Sequence, residues 1–82
     1  MDRTEVFEKV TQIARDIFEN DAIVLTEATT AADVEEWDSL THLSLVSDIE
    51  EEFDITFTLS EISDSQNIGE LIDAILKHSE EK

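Results

Sequence analysis

The chain has 82 residues, and its 22 Asp and Glu against five Lys and Arg give a formal net charge of −17. A field this negative repels phosphate backbones and anionic lipid, which argues against nucleic-acid binding and membrane docking. It contains no cysteine, so neither a disulfide nor a Cys-based zinc site can support the core. A chain this short predicts one domain over residues 1–82.

The same sequence features predict the cellular location, the oligomeric state and the kind of protein surface that the chain binds. No apolar stretch approaches the roughly 20 residues of a membrane span, and the polar N-terminus lacks a signal-peptide core, so a cytoplasmic protein is expected. Like-charge repulsion favours a monomer, and the negative field would steer the chain toward basic patches on other proteins.

Residues 4–19 have the apolar spacing of an amphipathic helix with a charged opposite face. Asp2 or Thr4 can cap its start, and the Asn-Asp pair at 20–21 can end it. The apolar face consists of Val6, Phe7, Val10, Ile13, Ala14, Ile17 and Phe18.

Residues 20–38 do not continue the helical pattern and predict a long ordered loop. A connection of this length is uncommon in a compact domain and is often functional. Apolar anchors along it favour packing over the helices rather than disorder. The side chains expected to be buried are Ile23, Leu25, Val34 and Trp37.

Residues 39–53 predict a second helix, with Ser39 as its N-cap and Asp38 close to the positive end of its dipole. One apolar stripe is expected to face the core, with Leu45 beside it. The stripe consists of Leu40, Leu43, Val46, Ile49 and Phe53.

The remaining chain predicts a linker and two more helical segments. Residues 54–66 are expected to be extended, with a short helical turn at 59–63, because a lone strand without a partner is not viable. A capping-box pattern at 67–70 opens a final helix to about residue 77, and 79–82 are expected to fray. The architecture is therefore an all-α four-helix bundle, three main helices and one short one, with a long loop between the first two.

The segment Glu-Trp-Asp-Ser-Leu at residues 36–40 goes beyond a generic helical protein. An Asp-Ser-Leu tripeptide is common by chance, but here it opens an amphipathic helix that ends in Glu-Glu-Phe-Asp at 51–54. The long first loop, the linker with Phe57 and the final helix opening at Asn67 complete the pattern. Together with the acidity and length, this layout resembles that of acyl carrier proteins over essentially the whole chain.

The resemblance implies a carrier and not an enzyme. In that family a holo-synthase transfers 4′-phosphopantetheine from coenzyme A to a serine, here Ser39, and the thiol of the arm then carries an acyl group as a thioester. Asp38 would support the transfer by presenting Ser39 and orienting magnesium-bound coenzyme A. A helix N-terminus is also physically suited to a phosphodiester, because its free N–H groups and its dipole favour negative charge.

The resemblance also implies partners: the holo-carrier-protein synthase, and enzymes that load, transfer or condense the acyl group through basic patches. Thr41 and Ser44 replace acidic residues common in the family, and Ser47 replaces a longer apolar residue. These departures indicate a specialised stand-alone carrier outside housekeeping fatty-acid synthesis. The predicted docking residues are Leu40, Asp48, Glu50 and Glu51.

Other interpretations remain open at this point. An aminoacyl, peptidyl or D-alanyl carrier would use the same Ser39, and an unmodified acidic interaction domain would use Ser39 only as a helix cap. A Ser/His hydrolase with His42 lacks the glycine-flanked elbow, and an EF-hand lacks its loop glycine, since Gly69 is the single glycine. No metal site is therefore predicted, and His42 and His78 are expected at the surface.

Overall fold

A computed structural model of the chain describes residues 2–65 and 67–80 and confirms the all-α architecture. Within these residues there is no strand, and no helix is long and apolar enough to span a membrane. The helices are α1 (Arg3–Phe18), α2 (Ser39–Phe53), α3 (Leu59–Asp64) and α4 (Ile68–Glu80).

The helix ends lie close to the predicted positions. Asp2 caps α1 by accepting a hydrogen bond from the Thr4 N–H at 3.1 Å. Helices α1 and α2 both end at an acidic residue in the left-handed conformation, Glu19 at φ 53° and Asp54 at φ 54°. Helix α4 continues to Glu80, beyond the predicted end, so the first half of the expected frayed tail is helical. Residues 81 and 82 lie outside the described residues.

The core lies between α1, α2 and α4, and its largest fully buried side chains are aliphatic. Its innermost side chains come from all three helices, which explains why the three helices pack together as one unit. Burying each such side chain stabilises the fold by about 1.5–3 kcal/mol relative to exposure. The largest fully buried side chains are Val6, Val10, Leu45, Ile49, Ile68, Leu71, Ile72 and Ile75.

The predicted core stripe of α2 is wrong at its N-terminal end. Leu40 is 77% exposed and Leu43 is 56% exposed, whereas Leu45, expected beside the stripe, is fully buried. At about 100° per residue, Leu45 and Ile49 share one face of the helix, and Leu40 lies almost opposite them. The leucines of α2 therefore divide between a core face and a solvent face.

The long loop is ordered against the helices, as predicted. Leu25, Val34 and Trp37 are buried, and Ile23 is partly buried. The loop is also bonded to the start of α4, because the Gly69 N–H donates to the Glu27 carbonyl at 2.8 Å. A Cβ at position 69 would lie 3.1 Å from that carbonyl oxygen, which explains a glycine in the first turn of α4.

A charged cluster around Arg3 reinforces this junction. The guanidinium bonds both Glu27 in the loop and Asp73 on α4, the latter at 2.7 Å. The Arg3 hydrogen bond is the main cause that lowers the pKa of Glu27. The cluster therefore joins α1, the loop and α4 at the end of the molecule where α1 and α4 begin.

The short helix α3 is attached differently, because none of its residues is fully buried and its Ile62 packs only partly buried against the core. Two histidines bond it to its neighbours: His42 Nε2 lies 3.0 Å from the Ile62 carbonyl, and His78 Nε2 lies 2.7 Å from Glu61 Oε1. Both histidines are partly buried, so the prediction that they lie at the surface is wrong. Each imidazole thus faces α3, where it bonds a backbone carbonyl or a carboxylate.

Candidate functional site

Ser39 is the first residue of α2, and Asp38 is the N-cap that precedes it. Asp38 Oδ1 accepts hydrogen bonds from the N–H groups of Leu40 at 3.0 Å and Thr41 at 2.9 Å. The prediction that Ser39 caps the helix is therefore wrong by one residue. The cap belongs to Asp38 because its carboxylate reaches the orphan N–H groups of the first turn.

Thr41 completes a reciprocal capping box that was not predicted from the sequence. The Asp38 N–H donates to Thr41 Oγ1 at 2.8 Å, and Thr41 Oγ1 donates in turn to the Glu36 carbonyl at 2.8 Å. The usual sequence pattern of this motif has Glu or Gln at the third helical position, so a threonine there gives a weak signal. Thr41 thus has a structural role at the start of α2.

These contacts set the chemical state of Asp38 and Ser39. The Thr41 N–H is the first cause that lowers the pKa of Asp38, against a smaller opposing effect of desolvation, so the carboxylate is ionised near neutral pH. Ser39 is exposed, and no hydrogen bond engages its hydroxyl within residues 2–65 and 67–80. An exposed hydroxyl without an internal partner is available for covalent modification.

A groove of about 630 Å³ opens beside Ser39, between the long loop, α2 and α3. Trp37, 4% exposed, and His42 contribute to its wall, and the Trp37 Nε1–H donates to His42 Nδ1 at 3.1 Å. This pair was not predicted. The signal for it is that a buried indole N–H needs an acceptor, and His42 is a nearby polar aromatic residue on the following helix. The groove is lined by Thr30, Ala31, Ala32, Trp37, Asp38, Ser39, His42, Leu43, Ile62, Ser63 and Ser65.

The predicted docking residues are not equivalent in the structure. Leu40, Asp48 and Glu51 are exposed on α2. Glu50 is only partly exposed, and its Oε2 accepts a hydrogen bond from the Phe57 N–H at 2.8 Å. Glu50 thus fixes the linker at Phe57 to α2, and one of its oxygens is occupied within the fold.

The site fits a covalently attached arm better than a bound metal. No group of three His, Cys, Asp or Glu side chains within the described residues is arranged to hold a metal ion. The exposed Ser39 hydroxyl, the ionised Asp38 next to it and the open groove on one side leave room for a linear group that starts at Ser39. Ser39, Asp38 and the groove therefore suit the covalent attachment of a linear group to the Ser39 hydroxyl.

Comparison with known proteins gives the same class. A family model described as a phosphopantetheine attachment site matches residues 8–75. The holo acyl carrier protein of Geobacter metallireducens, solved in solution, is 37% identical over 93% of this chain and 87% of its own, with a TM-score of 0.85. A Mycobacterium tuberculosis protein assigned as an acyl carrier protein shares the fold at 21% identity, over 88% of this chain and 96% of its own, with a TM-score of 0.80. No curated protein matches the chain.

The chain belongs to the phosphopantetheine-attachment family. It is a carrier protein with a covalently bound 4′-phosphopantetheine, and it is not an enzyme.

Proposed function

We propose that this carrier holds an acyl group as a thioester, with the phosphopantetheine arm attached to Ser39. The observation that carries the proposal is the exposed hydroxyl of Ser39 at the start of α2, without an internal hydrogen bond in the described chain and next to an ionised Asp38. Its position lies within the matched segment 8–75. The arm would supply the thiol that a chain without cysteine lacks.

Asp38 is proposed to act in the transfer as well as in the cap. Oδ1 is occupied by the N–H groups of the first helical turn, whereas no hydrogen bond in the described residues engages Oδ2. An ionised carboxylate beside Ser39 repels a bare phosphate, but it attracts a divalent cation that accompanies one. Asp38 would therefore favour a magnesium-bound donor such as coenzyme A over a free phosphate ester.

The exposed surface of α2 is proposed as the docking surface. Leu40 and Leu43 form its apolar region next to Ser39, and the carboxylates of Asp48 and Glu51 form its acidic region further along the helix. A partner that fits it would offer an apolar pocket flanked by Lys or Arg. Glu50 contributes less, because its carboxylate bonds the linker.

The proposed partners are a holo-synthase and the enzymes that load, transfer or condense the acyl group. A place in lipid or fatty-acid biosynthesis, a monomeric state and a cytoplasmic location stay predictions. Acyl rather than aminoacyl cargo is favoured by the similarity to a holo acyl carrier protein. A mass spectrum of the cargo on protein isolated from its host would separate the two.

The attachment is tested with coenzyme A and a promiscuous phosphopantetheinyl transferase. We expect the intact mass to rise by about 340 Da, the mass of the arm. Ser39→Ala should abolish the gain, whereas Ser44→Ala and Ser47→Ala, which alter exposed serines of the same helix, should retain it. No gain in the wild type, or a gain in Ser39→Ala, would contradict the proposal.

A further inference from the structure

The inner wall of the groove beside Ser39 is closed by a hydrogen-bonded bridge from Trp37 through His42 to Ile62. The indole N–H can only donate, so His42 Nδ1 is the acceptor of the 3.1 Å bond. His42 Nε2 must then carry the hydrogen of a neutral imidazole and donate it to the Ile62 carbonyl at 3.0 Å. The bridge therefore joins the end of the loop, α2 and α3 with both ring nitrogens in use.

The bridge lies between the groove and the aliphatic core. Trp37 is 4% exposed, and its ring packs on Phe18 of α1 at a centroid distance of 6.2 Å. The His42 ring stacks on Trp37 at 5.9 Å and 28°. Both rings also contribute to the wall of the groove that Ser39 opens into. A group attached to Ser39 that passed from this groove between His42 and Ile62 would break the bridge.

The contacts of the bridge would oppose a long alkyl cargo more than a short or polar one. A long alkyl chain that pushed between α2 and α3 would separate His42 from Ile62 and Trp37, and its methylenes could not replace either hydrogen bond. A buried indole N–H and a carbonyl would then lack partners, which opposes the gain from burying the chain. A short or hydroxylated cargo can stay in the outer groove, where Ser63 offers a hydroxyl. Thr30 and Ser65, whose hydroxyls donate to Asp33 and to the Glu61 carbonyl, offer acceptor oxygens there.

We propose that the Trp37–His42–Ile62 bridge keeps long alkyl cargo out of the core, so that this carrier serves a short or polar acyl group held in the outer groove. The inference rests on the proposed acyl-carrier function and names the class of its cargo. It also assigns His42 and Trp37 as residues that determine specificity.

The test compares two cargoes loaded on the full chain from their coenzyme A thioesters, dodecanoyl as a long chain and 3-hydroxybutyryl as a short polar one. The rate at which hydroxylamine cleaves each thioester is measured, because a thioester whose chain is sheltered in the core reacts only when the protein opens and exposes it. In the wild type we expect the two rates to agree within about twofold, since neither cargo enters the core. Dodecanoyl cleavage slowed well beyond that range in the wild type would overturn the proposal.

Variants of His42 sharpen the test. In His42→Leu the polar partner is gone, and cleavage of the dodecanoyl thioester should slow by about fivefold or more while the short cargo is unaffected. His42→Gln should behave as the wild type, because its amide can accept from Trp37 and donate to Ile62. Trp37→Phe breaks the bridge at its other end and keeps an aromatic ring. Cleavage of the dodecanoyl thioester should therefore also slow in this variant, as in His42→Leu.

His78→Leu is the matched control, because it removes the second histidine that bonds α3, outside the groove. An equal slowing in His78→Leu would mean that loosening α3 alone admits the chain, and would contradict a specific role of the bridge. Failure to load either coenzyme A thioester would instead contradict the proposed function itself. Loading followed by unchanged rates in both His42→Leu and Trp37→Phe would overturn only the inference.

Discussion

Two regions of this carrier are held together by different forces. Helices α1, α2 and α4 share an aliphatic core whose central side chains are fully buried. Helix α3 fully buries no residue: its Ile62 packs partly buried against the core, and His42 and His78 bond it to α2 and α4. Hydrophobic burial scales with area and does not depend on direction, whereas a few hydrogen bonds can break one at a time. We therefore expect α3 to open locally while the three-helix unit stays folded, and Ser39 lies where the two regions meet.

The largest expected effect comes from truncation in the three-helix unit. Ile72→Ala should lower the free energy of unfolding by about 2–5 kcal/mol, because it removes a fully buried side chain and leaves a cavity. Urea denaturation measures the change. The control is Leu59→Ala on α3, a residue that is 84% exposed and should change stability by no more than about 0.5 kcal/mol. Comparable losses for the two variants would remove the distinction between the regions.

A smaller and local effect is expected from the cap of α3. Thr58 Oγ1 accepts a hydrogen bond from the Glu61 N–H at 3.1 Å, and Thr58→Ala removes it. The opening of α3 should become easier by about 1 kcal/mol, seen as faster amide exchange in that helix. Exchange in α1 and α4 should not change, and Ser60→Ala, an exposed substitution in the same helix, should leave α3 as it is. Equal acceleration in all helices would show that α3 is not a separate unit.

The attachment of α3 should also depend on pH through Glu61. The Thr58 N–H is the first cause that lowers the pKa of Glu61 from its ordinary value of 4.5, and the His78 hydrogen bond adds to it. A carboxyl with a lowered pKa stabilises the folded form above its ordinary pKa, and this stabilisation is lost as pH falls through the lowered value. Amide exchange of α3, corrected for its intrinsic pH dependence, should therefore accelerate on acidification below about pH 4.5. Glu61→Gln should remove this acid-induced acceleration of amide exchange. If exchange in the variant depends on pH as in the wild type, another group is responsible.

The smallest effect is expected at an exposed ion pair of the three-helix unit. Lys9 Nζ lies 3.5 Å from Glu52 Oε1, and both side chains are about half exposed. Lys9→Gln should therefore change the unfolding free energy by no more than about 1 kcal/mol. Lys77→Gln removes the same charge elsewhere on the surface, so the difference between the two variants in urea denaturation measures the local contacts of Lys9, which are the ion pair with Glu52 and the contact with the Phe53 ring at 5.7 Å. A loss of unfolding free energy as large as that of Ile72→Ala would mean that a surface contact stabilises the fold as much as a core side chain does.

Local pattern predicted most of the three-helix unit. The spacing of Val6, Val10 and Ala14 gave the buried face of α1, and that of Ile68, Leu71 and Ile72 gave the buried face of α4. The register of α2 was harder, because leucines occur on two of its faces and apolar spacing alone does not tell a core stripe from a docking stripe. Leu40 and Leu43 were assigned to the core for that reason.

The contacts around α3 and Ser39 could not be predicted for a different reason. His42 bonds the carbonyl of Ile62, 20 residues away, and no local pattern encodes a contact between side chain and backbone at that separation. The Asp38–Thr41 box is local, but it uses a threonine where the usual motif has Glu or Gln. The resemblance predicts Ser39 as the attachment position, which stays a prediction, whereas the polar contacts around Ser39 are seen only in the folded structure.

The division of roles between Asp38 and Ser39 has a consequence for the life cycle of the carrier. Because the Asp38 side chain caps α2, the proposed conversion of the Ser39 hydroxyl into a phosphodiester would remove no hydrogen bond found in the described fold. The unmodified and modified proteins should therefore begin α2 in the same way. An enzyme that must distinguish them would have to sense the arm itself, since the helix beneath it gives no signal of whether the carrier has been primed.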